Sequence, residues 1–307
     1  MKYPIDKEFL PYAFFAPPIQ SPEMAGKMGS MMRPPKWIQR DSEVAVKKVM
    51  INGYQDEKIP VFVFEPYGVS EDMPCLVYYH GGGFFFEGAP YHYRLAKTYA
   101  LKAFCKVIFV QYRLAPKNPH PVPVEDSYAA LRWTFEHADE LNIDPRRIVV
   151  GGDSAGGALA AAVCQMARDR GTEIPYFQLL VYPVIDRRME SESNQRFTDT
   201  PMWNSTLSQK MWDGYLPDPD TPDLAYASPI EAISFEHLPP AYIETAEFDC
   251  LHDEGIAYAN ALKHAGIHVE VNETRGTMHG FDIVEKAPTT KASVIARIQY
   301  MRRRFGE

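Results

Sequence analysis

Ile148-Val149-Val150-Gly151-Gly152-Asp153-Ser154-Ala155-Gly156-Gly157 joins a short β-branched run to a serine flanked by glycines. Ile and Val favour a pleated, buried strand. Residues 155–168 are alanine-rich and contain no proline, as a helix leaving the turn requires. Gly152-Asp153-Ser154-Ala155-Gly156 fits G-x-S-x-G, in which a strained strand-to-helix turn holds a serine hydroxyl at the top of a sheet. Ser154 is therefore the candidate nucleophile.

Outward from this stretch, strands and helical segments alternate. Strands are expected at 75–79, 106–111 and 147–151, with helices near 91–104, 124–138 and 155–169. Further strands are expected at 177–182, 241–246 and 267–272, with helices near 253–265 and 290–304. Such alternation implies a parallel sheet covered on both faces, an α/β fold. Before it, runs at 43–51 and 59–64 flank Asn52-Gly53, a turn signal, and predict an antiparallel pair at a sheet edge. Residues 1–42 follow no clean period and read as an arm that packs over something. Between 183 and about 230 the rhythm breaks into acidic, proline-bearing sequence around Trp203, Met211 and Trp212, an insertion above the strand ends where α/β sheets bind ligands.

The chain has 307 residues, 46% hydrophobic and 23% charged, which suits one folded core with insertions rather than a disordered chain. Its net charge of −8 argues against a broad basic surface, so no nucleic-acid partner is expected. Met1-Lys2-Tyr3-Pro4-Ile5-Asp6-Lys7 lacks a secretion pattern, and no run of roughly 18 apolar residues is present. A cytoplasmic protein without membrane insertion is the expectation, with a homodimer left open. Cys75, Cys105, Cys164 and Cys250 show no C-x-x-C spacing and read as buried free thiols.

A serine hydroxyl needs a base within hydrogen-bond reach and a third group to orient that base. Of nine histidines, His279 stands in Thr277-Met278-His279-Gly280-Phe281, a loop after the last expected strand, and is the candidate base; the other eight read as surface or structural. In this architecture the acid lies between serine and histidine in chain order. Asp249 follows the strand ending near Ala246 and is the candidate acid, with Glu247 in reserve. Asp253 reads as the cap of the next helix, and Asp153 as a support for the turn. His80-Gly81-Gly82-Gly83-Phe84 follows the strand 75–79 and lets backbone approach a substrate closely. Neither phosphate-loop pattern can be completed there. The N–H groups of Gly82, Gly83 and Ala155 are the candidate oxyanion donors. Phe84, Phe85 and Phe86, with Trp203, Met211, Trp212 and Tyr215 of the insertion, can line an acyl or alcohol pocket or equally form cap core; Phe84, Trp203 and Trp212 are the candidate substrate-binding residues. No metal or organic cofactor is needed by this chemistry.

His80–Phe84, Tyr112-Arg113-Leu114-Ala115-Pro116, Gly152–Gly157, Asp249–Gly255 and His279-Gly280-Phe281 together resemble the hormone-sensitive-lipase-like family of α/β-hydrolases, in particular its bacterial carboxylesterases. The resemblance implies an α/β-hydrolase fold with an eight-stranded, mostly parallel sheet. It also implies a triad of Ser154, Asp249 and His279, and a helical cap built from about 1–42 and the insertion about 185–228. The implied reaction is hydrolysis of small-molecule esters of short or medium acyl chain through an acyl-enzyme. Amide hydrolysis by the same triad is the nearest alternative, and a binding protein without catalysis a more distant one. Two positions depart from the family pattern: Lys117 stands where glutamate is usual, and Cys250 where proline is usual.

Overall fold

A computed structural model describes residues 2–12, 14, 16–17, 19–29, 31, 33–39, 41–68 and 72–306. Of the arm expected at 1–42, residues 1, 13, 15, 18, 30, 32 and 40 lie outside the described residues.

Eight strands form one sheet: β1 (Val44–Asn52), β2 (Lys58–Pro66), β3 (Met73–Tyr79), β4 (Lys106–Val110), β5 (Ile143–Asp153), β6 (Gln178–Val181), β7 (Ala241–Phe248) and β8 (Val269–Met278). Their spatial order is β1-β2-β4-β3-β5-β6-β7-β8. β1 and β2 pair antiparallel, as do β2 and β4; all later neighbours are parallel. Every residue of β3 and β4 is buried, because helices cover both faces of a parallel sheet. Successive side chains nevertheless divide between two cores. Cys75, Val77 and Tyr79 face one core together with α3 (Val122–Glu136), α4 (Ala155–Asp169) and α8 (His252–His264). Leu76 and Tyr78 face the other, with α2 (Pro90–Lys102) and α9 (Pro288–Phe305).

The alanine-rich α4 is buried continuously from Ala155 to Ala167. Small side chains let it lie close to the sheet beneath the serine that starts it. Two strands run further than the sequence pattern suggests. β5 begins at Ile143, where it pairs with Met73 across a register shift. β8 continues to Met278 through Asn272-Glu273-Thr274-Arg275-Gly276, a polar stretch whose strand character comes from pairing with β7 and not from periodicity. That extension delivers His279 directly from a strand end.

α9 is fastened by Arg297, wholly buried, whose guanidinium contacts Glu244 on β7 and both oxygens of Asp282 at 3.0 and 3.2 Å. Asp282 also accepts the Tyr182 hydroxyl at 2.9 Å. Two carboxylates around one buried guanidinium satisfy its charge and tie the last helix to the strand ends that carry the site.

The insertion folds as α5 (Glu192–Arg196), α6 (Ser205–Tyr215) and α7 (Leu224–Ala227). The arm carries α1 (Pro22–Gly29), which packs on α6. Lys210 donates to the Ile19 carbonyl at 2.7 Å, the Tyr3 hydroxyl to Asp199 at 2.5 Å, and the Asp6 N–H to the Gly276 carbonyl at 2.9 Å. The arm thus spans from the end of β8 to the insertion.

Candidate active site

Ser154 has φ 54° and ψ −120°, a backbone conformation that costs energy for a side-chain-bearing residue and lifts its hydroxyl above β5. The turn is held on both sides. Ser154 N–H donates to the Val181 carbonyl at 2.9 Å, and its own carbonyl accepts from Val184 and Ala158. Glycine is required at 156: a Cβ there would stand 1.9 Å from the Tyr79 carbonyl oxygen, so α4 could not approach β3.

His279 Nε2 lies 2.9 Å from Ser154 Oγ, and its Nδ1 lies 2.7 Å from Asp249 Oδ2. The other Asp249 oxygen accepts the Leu251 N–H at 3.0 Å. An ionised carboxylate only accepts, so Nδ1 carries the proton and Nε2 is free to accept from the serine. Asp249 is wholly buried, while Ser154 and His279 keep 5% and 6% of their surface open, enough for a reacting group to enter. The Tyr182 ring meets the imidazole edge-on at 4.8 Å. Thus residues from three separate strand ends converge, separated by up to 125 positions in sequence.

Glu247 does not contact His279; it accepts the Gly276 N–H at 2.8 Å instead. Asp253 is not a helix cap either. Leu251 occupies the N-cap position of α8, and the Asp253 carboxylate turns to the insertion, where it accepts the Ser193 N–H at 2.7 Å. A free amide on a neighbouring helix has outcompeted the local one.

Asp153 ties the serine turn to the glycine loop. Its Oδ1 accepts the Tyr78 hydroxyl at 2.5 Å and the Gly81 N–H at 3.1 Å, and its Oδ2 meets His92 Nε2 at 3.0 Å. Since Ala89 N–H donates to His92 Nδ1, the His92 proton sits on Nε2 and points at the carboxylate. Burial alone would raise the Asp153 pKa, but His92 and Tyr78 outweigh it and hold the carboxyl at about 2. Burial pushes His80 down to about 4, so its ring is neutral; it stacks on Tyr112 at 4.5 Å. Neither Tyr78 nor His92 is distinguishable in the sequence, because nothing near them in the chain announces a partner many residues away.

The depressed Asp153 pKa makes a stability prediction. With an unfolded value near 3.8 and a folded value of about 2, the carboxylate contributes about 2 kcal/mol above pH 4, lost as pH falls through 2. The difference in urea-unfolding free energy between wild type and Asp153→Asn is therefore expected to narrow by about 1 kcal/mol from about pH 5 to about pH 3. An unchanging gap would mean that the charge of Asp153 contributes nothing.

Gly82 and Gly83 have φ of +119° and +58°, open to glycine at little cost. Among the described residues, no backbone carbonyl takes the N–H of Gly82, Gly83 or Ala155; Gly82 and Gly83 line the cleft beside Ser154, and Ala155 follows Ser154 at the start of α4. The cleft holds about 110 Å³ and is walled by Phe86, Tyr91, Tyr182, Met202 and Trp203, with Pro17 of the arm at its mouth. Of the aromatic residues singled out from sequence, Phe86 and Trp203 line it. Phe84 and Trp212 do not: Phe84 stacks on Tyr215 with ring centres 3.6 Å apart, and Trp212 lies 6.0 Å from the same ring. Both are buried core residues, Phe84 on the glycine loop and Trp212 on α6. Tyr91 and Met202 complete the wall, and no periodicity marks them. Cys250 is buried with its Sγ 3.6 Å from Ser208 Oγ, which in turn accepts Trp203 Nε1 at 2.9 Å; Lys117 is exposed.

A mostly parallel eight-stranded sheet, a serine on a strained strand-to-helix turn and helices on both faces define an α/β-hydrolase. The sequence profile of the alpha/beta hydrolase fold family matches residues 76–283, and the chain belongs to that family, in its hormone-sensitive-lipase-like branch. It is 37% identical over 262 residues to carboxylesterase NlhH of Mycobacterium tuberculosis, covering 84% of this chain and 82% of that one. It is 33% identical to ethyl acetate hydrolase of Pseudomonas putida, covering 78% of each. Among solved structures, a bacterial heroin esterase superposes with a TM-score of 0.89 at 32% identity over 99% of both chains.

Proposed function

We propose that Ser154, His279 and Asp249 act as nucleophile, base and orienting acid in the hydrolysis of carboxylic esters with short acyl chains. The protein is an ester hydrolase, as its family membership and its esterase relatives support. The observation that carries the assignment of residues is the unbroken Ser154–His279–Asp249 hydrogen-bond chain, at 2.9 and 2.7 Å, beside three unclaimed amides.

Ser154 Oγ adds to the ester carbonyl carbon as His279 Nε2 takes its proton. The carbonyl oxygen becomes an oxyanion held by the amides of Gly82, Gly83 and Ala155, donors that need no reorganisation as the charge develops. Collapse expels the alkoxide, which takes the proton from His279 and leaves as alcohol. Water, deprotonated by the same nitrogen, then adds to the acyl-serine; collapse returns the proton to Ser154 and releases the acid. Asp249 stays ionised and stabilises the imidazolium in both halves.

The small cleft favours short acyl groups. The arm and the insertion act as its cap, with Pro17, Met202 and Trp203 as the cap's contribution to the wall. Among the described residues no helix is long and apolar enough to cross a membrane.

Trp203 limits the acyl chain. Its ring lies so close over the glycine loop that a Cβ on Gly83 would be 2.6 Å from Cη2. Trp203→Ala is expected to raise kcat/KM for p-nitrophenyl octanoate relative to the acetate by about 10-fold or more, since each accommodated methylene is worth about 1–3 kcal/mol. An unchanged chain-length profile would remove Trp203 from the acyl pocket. Comparing matched esters and anilides separates ester from amide cleavage; faster anilide turnover would overturn the ester assignment.

A further inference from the structure

Behind the catalytic cleft, on the face covered by α2 and α9, lies a separate groove of about 530 Å³, within the size range of small-molecule sites. Its floor is Leu95, Val294 and Ile298. The two helices run side by side in the same direction. Arg94 pairs with Glu285 just ahead of α9, and Arg302 lies over Phe104, just beyond the end of α2. From Tyr91 to Lys102 the helical rise gives the groove a length of about 16 Å.

Two features point to its occupant. The first is charge. In a chain of net charge −8, this groove is bordered by Arg94, Lys102, Lys291 and Arg302 against only Asp282 and Glu285. Both carboxylates are already engaged, Asp282 by Arg297 and Glu285 by Arg94. Lys102 and Lys291 are exposed and form no ion pair among the described residues. The second is continuity. Tyr91 lines both this groove and the catalytic cleft, and Asp282 in the groove wall accepts the hydroxyl of Tyr182, which lines the cleft.

We propose that this groove binds a linear alkyl carboxylate. The carboxylate sits by Lys102 at the far end, and the chain lies along Leu95, Val294 and Ile298 toward Tyr91. An apolar trough with cations at its ends matches an amphipathic anion and disfavours neutral esters and cations. A chain end packed on the back of Tyr91 shifts a wall of the catalytic cleft, so occupancy alters turnover. On the esterase reading above, which gives the cleft short acyl chains, the groove takes a longer-chain acid than turnover releases and is an effector site; the groove itself does not depend on that reading.

The test is calorimetric titration of sodium decanoate into three proteins: wild type, wild type phosphonylated at the active serine by a small reagent, and the double variant Lys102→Glu/Lys291→Glu. Binding is expected to survive phosphonylation and to weaken by at least about tenfold in the double variant, whose unchanged melting temperature shows an intact fold. In wild type, decanoate is expected to change kcat for p-nitrophenyl acetate and not only KM. Loss of binding on phosphonylation, with a purely competitive pattern, would show that decanoate occupies the catalytic cleft and overturn the proposal. So would undetectable binding to wild type, or equal affinity in the double variant. A dimer in sedimentation that the double variant dissociates would assign the face to a second copy of the chain. Failure of wild type to become phosphonylated, with Ser154→Ala fully active, would instead sink the serine mechanism and leave the decanoate titration of the groove to be read on its own.

Discussion

Ser154→Ala is expected to lower kcat for p-nitrophenyl acetate by about 10⁵–10⁶-fold while leaving the melting temperature within a few degrees of wild type. The size follows from the arrangement. Without Oγ, the imidazole 2.9 Å away has no proton to take, and the amides of Gly82, Gly83 and Ala155 can stabilise only a slow attack by water. What remains is catalysis by the oxyanion site and by binding, about 10³–10⁴ over the uncatalysed reaction. The thermal effect is small because the hydroxyl makes one hydrogen bond, to His279, and the methyl group of alanine fits the same space. Alanine still needs φ near 54°, so relief of strain is not expected. Steady-state turnover with a burst-phase measurement of p-nitrophenol decides the matter: a variant that keeps the wild-type burst would exclude Ser154 as the acyl carrier.

The second large effect is expected at Asp249→Asn, about 10⁴-fold in kcat, the scale seen when an orienting aspartate of such a triad is made an amide. The local hydrogen bonds explain why an isosteric change does so much. One Asp249 oxygen accepts from His279 Nδ1 and the other from the Leu251 N–H, at 2.7 and 3.0 Å. An amide has one acceptor and one donor. If its oxygen keeps Leu251, its NH₂ faces His279 and forces Nδ1 to become the acceptor. The proton then sits on Nε2, pointing at Ser154, and the base is lost. If the amide turns over, its NH₂ faces the Leu251 N–H in a wholly buried site and an unsatisfied donor pair costs about 1–3 kcal/mol. The prediction is thus a fall in kcat with little change in KM. Wild-type kcat in Asp249→Asn would assign the acid elsewhere, and Glu247, bound to the Gly276 amide, is poorly placed to take over.

Much of the candidate site was legible because its chemistry is local. A β-branched run, glycines around one serine and an alanine-rich follower can adopt few conformations, so residues 148–168 state both a strand-to-helix turn and a displayed hydroxyl. Asp249 and His279 were legible through chain order and their positions after strands. The wall of the cleft was not. Phe84, beside the glycine loop, and Trp212, in the insertion, offered as much apolar area as Trp203, and area alone does not say which ring faces a cavity. The burial of Phe84 against Tyr215 is settled by how α6 leans on the loop, a contact between segments more than a hundred residues apart. The same holds for Asp253, which a helix start would use as a cap but which the Ser193 amide claims.

By itself the sequence determined the alternation of strands and helices, the strained turn at Ser154 and the candidate groups for moving a proton, because propensity, periodicity and glycine's conformational freedom act over a few residues. Only the tertiary structure decided how far β5 and β8 extend, which aromatic rings wall the cleft, and that Tyr78, His92 and Asp153 lock the serine turn to the glycine loop. Those features depend on pairing and packing between distant segments, where an acceptor takes whichever donor the fold brings within about 3 Å, and chain position carries no record of that choice.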